Sequence, residues 1–258
     1  MPKLKNKIIS FFAKLGLKFM DEKSQMALMV FNCKPSVISE IVIIPVVGMI
    51  IKKFTKRLSN LKEKGKIYRG KFKEKNITIV PMTMGAPAAA VIMEALHQTK
   101  SKYIIKVDFC GGLSSDMKVG DIVLADKAIC GDGTTPHYDP DAEIISTDSD
   151  LLNILDEFLM QKNIPFKKGA IYTTDAIFRE TEELLTKARN KNAIAIDMET
   201  SALYLLGNQF GKKVISINVV SDIPDPNKKF NLNISSRLID NTILLVDTIL
   251  EFLSEKIV

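Results

Sequence analysis

Ile194-Ala195-Ile196-Asp197-Met198-Glu199-Thr200-Ser201-Ala202-Leu203-Tyr204 changes period in mid-run, and this change decides how the chain reads. Ala193 to Ile196 is a short apolar run of strand type, whereas from Glu199 onward Ala202, Leu203 and Leu206 fall at helical spacing. Two acids, Asp197 and Glu199, therefore stand at a strand-to-helix junction, where an α/β protein places ligand chemistry. Asp197 has a structural reading, its carboxylate accepting the backbone N–H of Thr200 at the start of the helix. Glu199, held on a turn beside Met198, has a recognition reading: its two oxygens can grip two vicinal hydroxyls while the thioether covers an apolar sugar face.

The alternation of strand and helix extends in both directions. Upstream, Glu40 to Val47 reads as a buried strand, followed by Gly48 and a basic helix to about Leu61. Lys66 to Phe72 and Asn76 to Met82 flank a charged turn, which is a hairpin signal. Met82-Thr83-Met84-Gly85-Ala86-Pro87-Ala88 leads into a helix from Ala88 to Gln98, and Tyr103 to Cys110 is a buried strand running into Gly111-Gly112-Leu113. Lys118 to Ala125 is a turn and strand, and Gly131 to Tyr138 is a loop by its density of Gly, Asp, Thr and Pro. A helix from Ser149 to Lys162 precedes a strand from Lys168 to Thr173. Beyond the central junction, Val214 to Val220 is a strand, apolar except for Ser216 and Asn218, that ends in Ser221-Asp222, and Ser235 to Phe252 is an amphipathic helix suited to core packing. This order of elements with a glycine-rich edge is α/β architecture, and nothing in it reads as a linker between domains.

With 258 residues, 46% of them hydrophobic and 26% charged, the chain has material for a large core. It holds no apolar run of about 18 residues or more, so no membrane span is expected. Cys33, Cys110 and Cys130 are odd in number and widely spaced, which fits a reducing compartment and neither a disulfide framework nor a zinc site. With only two histidines, a histidine-based metal centre is not expected. The net charge of +6 hides an asymmetry, since residues 1–75 carry 18 Lys and Arg against 5 Asp and Glu. That front end can attract an anionic partner or simply be a solvated face. Within it Ile8, Ile9, Phe11, Phe12, Leu15, Phe19 and Met20 repeat at helical spacing among Lys5, Lys7, Lys14 and Lys18. Three readings of this basic amphipathic helix stay open: docking on its own domain, packing in an oligomer, or lying on an anionic membrane surface. It lacks the long apolar region and cleavage site of a secretory signal.

Five segments, in order, resemble the nucleoside phosphorylase family that includes bacterial-type purine nucleoside phosphorylase, uridine phosphorylase and methylthioadenosine nucleosidase. Asp197-Met198-Glu199-Thr200-Ser201-Ala202 is similar to the family's Glu-Met-Glu-(Ala/Ser)-Ala, and Met84-Gly85-Ala86-Pro87 to its Gly-x-Gly-x-Pro segment. Lys106-Val107-Asp108-Phe109-Cys110-Gly111-Gly112-Leu113 matches Arg-(Val/Ile)-Gly-(Thr/Ser)-x-Gly-Gly-Leu, with lysine for the arginine, Asp108 for a glycine and Phe109 for the hydroxyl. Thr173 to Phe178 matches (Ser/Thr)-x-Asp-x-Phe-Tyr, with Ile177 where the family stacks an aromatic on the base. Ser221-Asp222 resembles the pair by which purine-type members protonate the departing base. The family's phosphate-holding Gly-Asp-Pro-x-Arg loop is absent after the first strand, and the Gln and Arg that read uracil are not matched by Arg179-Glu180-Thr181.

The resemblance implies a phosphorylase/hydrolase-like mixed sheet flanked by helices over residues 38–258, with residues 1–30 as a basic extension. It implies phosphorolysis of a purine nucleoside to free base and ribose 1-phosphate. Asp222 is expected to donate to N7 of the base and Glu199 to anchor the ribose diol, and both count as catalytic. The substrate is expected to meet Met84, Gly85, Cys110, Gly111, Ile177, Phe178, Asp197, Met198 and Ser221. Lys106 is the expected phosphate ligand, as a point charge without the fork of arginine. Phosphate is expected as co-substrate, with no cofactor, no metal and no nucleic acid, in a cytoplasmic homo-oligomer of two or six chains. Two alternatives stay open: a nucleosidase in which Asp108 orients or deprotonates water, and a nucleoside-binding protein without turnover.

Overall fold

The computed structural model describes residues 20–227 and 234–257. The first elements are α1 (Glu22–Phe31), β1 (Ile41–Ile44), α2 (Gly48–Arg57), β2 (Ser59–Lys64), β3 (Ile67–Phe72), β4 (Lys75–Ile79) and α3 (Ala86–His97). There follow β5 (Tyr103–Gly112), β6 (Ile122–Gly131), the single turn α4 (Thr135–Tyr138), β7 (Ile144–Ser146), α5 (Ser149–Gln161) and β8 (Lys167–Thr174). The chain continues with α6 (Glu182–Asn190), β9 (Ala193–Asp197), α7 (Thr200–Gln209), β10 (Lys213–Asp222) and α8 (Ser236–Glu255).

The strands form one ten-stranded mixed sheet. Five of them close a ring, because β10 pairs with both β5 and β6, β6 with β8, β8 with β9, and β9 with the end of β5. β1, β4, β3 and β2 extend outward from β5 as an open flap. β5 is the strand on which the two parts divide. On one edge its partner is β1 as far as Lys106, and only at Gly111 does β9 take over. The strands on either side diverge across the interval between, which opens a crevice of the kind where α/β sheets bind ligands.

Apolar runs account for the inner elements. β1 is buried along its length, and so is most of β5 and β10. One core lies under α1, α3 and α7 and a second under α2, α5 and α8, so both faces of the sheet are covered. On α3 the residues facing the core are chiefly alanines, among them Ala86, Ala89 and Ala90, which lets the helix lie close to α7. Tyr204 on α7 is fully buried, and its hydroxyl is satisfied twice, donating to Ala125 O at 2.7 Å and accepting from Ser216 N–H at 3.0 Å.

The structure departs from the sequence reading near the front. The helix expected over residues 1–23 lies outside the described residues, except for Met20 to Lys23. There Asp21 caps a separate helix, α1, by accepting Ser24 N–H at 2.7 Å. Ala27 and Phe31 of α1 are buried in the core that lies under α3 and α7. The basic helix α2 stops at Arg57, short of Leu61, and the chain turns into β2, in which Asn60 takes a left-handed φ of 51°. Every residue of β2 is exposed.

Candidate active site

The crevice on β5 receives the junction quoted at the outset. β9 ends at Asp197 and α7 begins at Thr200, so Asp197 and Glu199 enter the crevice from one side while Lys106, Asp108 and Cys110, alternate residues of β5, enter from another. Lys106 has no exposed surface. Its Nζ lies 2.5 Å from Asp197 Oδ2, 3.0 Å from Glu199 Oε2 and 4.0 Å from Asp108 Oδ2. Burial alone would lower the lysine pKa, but the charges of Asp197, Glu199 and Asp108 outweigh it and raise the pKa above the ordinary value. The ammonium is therefore held in its charged form by three carboxyl groups.

Those carboxylates are themselves tied down. Asp197 Oδ1 accepts from the Thr173 hydroxyl at 2.8 Å, and Asp197 Oδ2 accepts from Thr200 N–H at 3.2 Å and from the Thr200 hydroxyl. The capping reading of Asp197 thus holds, with the lysine pair added to it. Glu199 Oε1 accepts the backbone N–H of Gly85 at 2.8 Å. Gly85 precedes α3 with a φ of 112°, a conformation that side-chain-bearing residues rarely adopt. The N-terminus of α3 is in this way already served by the chain's own glutamate.

Asp108 differs from its neighbours. It is 5% exposed, and its Oδ1 is buried without a hydrogen-bond partner. Burial raises its pKa to about 7; Lys106 opposes the shift and Glu199 adds to it. At the end of β10, beside Gly111 of the parallel β5, Ser221 donates to Asp222 Oδ1 at 2.7 Å. Burial raises the Asp222 pKa, against the lowering effect of that hydrogen bond. Glu180 is raised to about 7, first by burial and then by the negative charge of Asp222. Burial pushes the Cys110 thiol well above its usual range, which makes it a packing residue and not a nucleophile.

These groups surround one cavity. Its apolar walls are Val46, Val47, Met84, Ile177, Ile196 and Met198, and its polar lining includes Asp108, Glu180, Asp197, Glu199, Ser221 and Asp222. Five carboxyl groups line it, and among the described residues no lysine or arginine does. Gly111 lies at the wall where a Cβ would meet Ile196 Cγ2 and Pro224 Cγ at 2.9 Å, so the strand can pass there only as glycine.

Of the residues expected to meet substrate, Met84, Cys110, Gly111, Ile177, Asp197, Met198, Glu199, Ser221 and Asp222 come together around the cavity. Gly85 supports it through Glu199. Phe178 does not line it and is 74% exposed, because the short turn Ile177–Arg179 directs Ile177 inward and the next residue outward. Lys106, expected to hold phosphate, is not in the cavity lining, and its charge is engaged by Asp197 and Glu199. Glu180 was legible only as a missing glutamine or arginine, since nothing local marks it as facing Asp222 across the fold.

A ring of strands with a cavity at the divided edge of β5, lined by apolar side chains and five carboxyl groups, is the frame on which the family comparison falls. The profile described as Phosphorylase superfamily matches residues 41–251, and the chain belongs to that family of nucleoside phosphorylases and nucleosidases, as an enzyme of that type. A DeoD-type purine nucleoside phosphorylase of Brevibacillus brevis is 30% identical over 157 residues, covering 60% of this chain and 67% of the relative. The enzyme of the same description from Mycoplasma genitalium is 27% identical over 159 residues, again 60% of this chain and 67% of the relative. Among solved structures, uridine phosphorylase from Vibrio fischeri superposes with a TM-score of 0.75 at 23% identity, over 85% of this chain and 93% of its own. The methylthioadenosine/S-adenosylhomocysteine nucleosidase of Campylobacter jejuni gives 0.72 at 16% identity, over 83% and 98%.

Proposed function

We propose that this chain cleaves the N-glycosidic bond of a purine nucleoside with water as the attacking group, releasing free base and ribose. One observation carries the choice of nucleophile: five carboxyl groups line the cavity, and the nearest ammonium, Lys106, is already shared among three of them. A phosphate dianion entering there meets net negative charge and no free fork of donors. Water meets Asp108, whose buried Oδ1 has no other partner and whose pKa of about 7 suits a general base. In the proposed step Asp108 takes a proton from water as its oxygen bonds C1′ of the sugar. The C1′–N9 bond breaks with its electron pair passing to the base, and Asp222 delivers a proton to N7. Glu199 and Met198 hold the sugar.

Phosphorolysis is the second reading, favoured by the descriptions of the purine nucleoside phosphorylases at 30% and 27% identity. We place the enzyme in the cytoplasm, in keeping with three free cysteines. We read it as a homo-oligomer, since Met84 at the cavity mouth is 64% exposed and a second copy would cover it. Among the described residues no helix is long and apolar enough to cross a membrane. The deciding experiment incubates the protein with adenosine or inosine in phosphate-free and phosphate-containing buffer and assays base, ribose and ribose 1-phosphate. Equal rates with ribose as co-product are expected. Base release only with phosphate, accompanied by ribose 1-phosphate, would establish the second reading, and nucleoside binding without any product would leave a binding protein.

A further inference from the structure

Asp108 Oδ1 and Asn218 Oδ1 are both buried, and neither has a hydrogen-bond partner. The two residues are paired in the parallel register of β5 and β10, two residues beyond the pair Lys106 and Ser216. Partners in such a register stand on the same face of the sheet, and adjacent strands run only about 4.8 Å apart, which puts short side chains within reach of each other. Two buried acceptors side by side cost free energy unless a donor stands between them. The other end of the Asn218 amide is fixed: its Nδ2 donates to Ser216 Oγ at 3.0 Å, and the Ser216 and Thr200 hydroxyls lie 3.1 Å apart. Thr200 has a single hydroxyl proton, and the Asp197 carboxylate, which can only accept, holds it. The Ser216 hydroxyl therefore donates to Thr200, and Asn218 Nδ2 keeps its place as donor to Ser216. A chain of hydrogen bonds thus runs from Asn218 through Ser216 and Thr200 to Asp197, with every donor pointing the same way. Its one open link is Asn218 Oδ1.

We propose that Asn218 is the positioning residue of the general base: its Oδ1 accepts a hydrogen bond from the acid form of Asp108 and so joins that carboxyl group to the Thr200, Asp197 and Lys106 cluster. In the reaction proposed above, on which this part in turnover rests, the proton that Asp108 takes from water is then held on Asn218. A hydrogen bond accepted from the acid form favours that form, in the same direction as the effect of burial on Asp108. The charged and titratable groups around Asp108 are Lys106 on its own strand, Asp197 and Glu199 at the junction of β9 and α7, and Cys110, Glu180 and Asp222 in the cavity lining. Between Ser216 and Val220, β10 presents no charged group to it.

The test is the titration of Asp108 followed by carbon-13 NMR in protein labelled at the aspartate carboxyl, with Asp108→Asn to assign the signal, in wild type, Asn218→Val and Asn218→Thr. Val and Thr have the same shape, but only Thr carries an oxygen that can accept from Asp108 and donate to Ser216. The Asp108 midpoint is expected to fall by about one pH unit in N218V and to stay within about 0.3 of wild type in N218T. In wild type the side-chain amide signals of Asn218 should shift with the same midpoint as the Asp108 carboxyl, a readout that needs no variant; melting curves check that both variants fold. The acid limb of kcat/KM should move with the Asp108 midpoint in N218V. An Asn218 amide that ignores the titration, or equal midpoints in the two variants, overturns the proposal. So does a rise in N218V, which would place a water between the two oxygens. Midpoints that behave as expected in a protein that cleaves no nucleoside uphold the link between Asn218 and Asp108 and overturn the reaction proposed above.

Discussion

Lys106 Nζ and Glu199 Oε2 lie 3.0 Å apart in a fully enclosed ion pair, and the other oxygen of Glu199 accepts Gly85 N–H at 2.8 Å. One glutamate thus joins the centre of β5, the start of α7 and the start of α3. A side chain positioned from both sides can hold a substrate diol without losing rotamer freedom on binding.

Lys106→Met should destabilise the protein strongly. It removes the ammonium that, among the described residues, pairs Asp197, Glu199 and Asp108, and breaking a buried pair in this way typically costs about 3–5 kcal/mol. Urea unfolding should show the loss as a lower midpoint. A loss under about 1 kcal/mol would mean that solvent reaches the carboxylates and that the cluster is not closed.

Glu199→Gln should retain the fold, since the amide oxygen can still accept Gly85 N–H and Asp197 still pairs Lys106. Activity should fall by about 100-fold or more in kcat/KM, because a charge-assisted grip on the sugar hydroxyls is lost. Turnover within about threefold of wild type would remove Glu199 from the site, that change being under 1 kcal/mol.

Asp222→Asn should slow purine nucleosides by about 100-fold, the usual range for a general acid, and spare a substrate whose leaving group departs without a proton. Comparing adenosine with a nitrophenyl riboside separates these cases. Equal loss on both substrates would show that Asp222 serves the fold or the sugar and not the base.

The pH dependence of Asp108 follows from its raised pKa. The folded state binds the Asp108 proton up to about pH 7 and the unfolded state only up to the ordinary carboxylate value of 3.8, so the native state holds more protons between them. Stability from this group is therefore full at low pH and is lost as pH rises through that window toward 7. Asp108→Asn should stabilise the protein more at pH 8 than at pH 5, and urea midpoints at the two values check the sign. The same variant should abolish turnover, and in wild type kcat/KM should rise as pH approaches 7 and Asp108 loses its proton. A variant that keeps wild-type turnover would eliminate Asp108 as the base.

The inner architecture was legible residue by residue. The apolar runs at Ile41–Ile44, Tyr103–Cys110 and Val214–Val220 are long, bounded and β-branched, and they became the buried strands flanking the site. The change of period at Asp197-Met198-Glu199 located the junction that carries the acids, because strand and helix periods are local properties of the chain. Elements without a buried face of their own were not legible: β2 is exposed throughout and is a strand only because β3 pairs with it.

By itself, the sequence determined that an acidic strand-to-helix turn would stand at the ligand edge of an α/β sheet, because periodicity and composition act over a few residues. What tertiary structure alone decided is the state of each charge. Lys106 sits 91 residues from Asp197, and Glu199 sits 114 from Gly85, and no local pattern says which partner a buried charge will meet once the ring of strands closes. Lys106 is a phosphate ligand only as the family resemblance implies; the fold brings carboxylates within 3.0 Å of it, and burial makes that pairing obligatory, since an isolated charge is too costly to leave there.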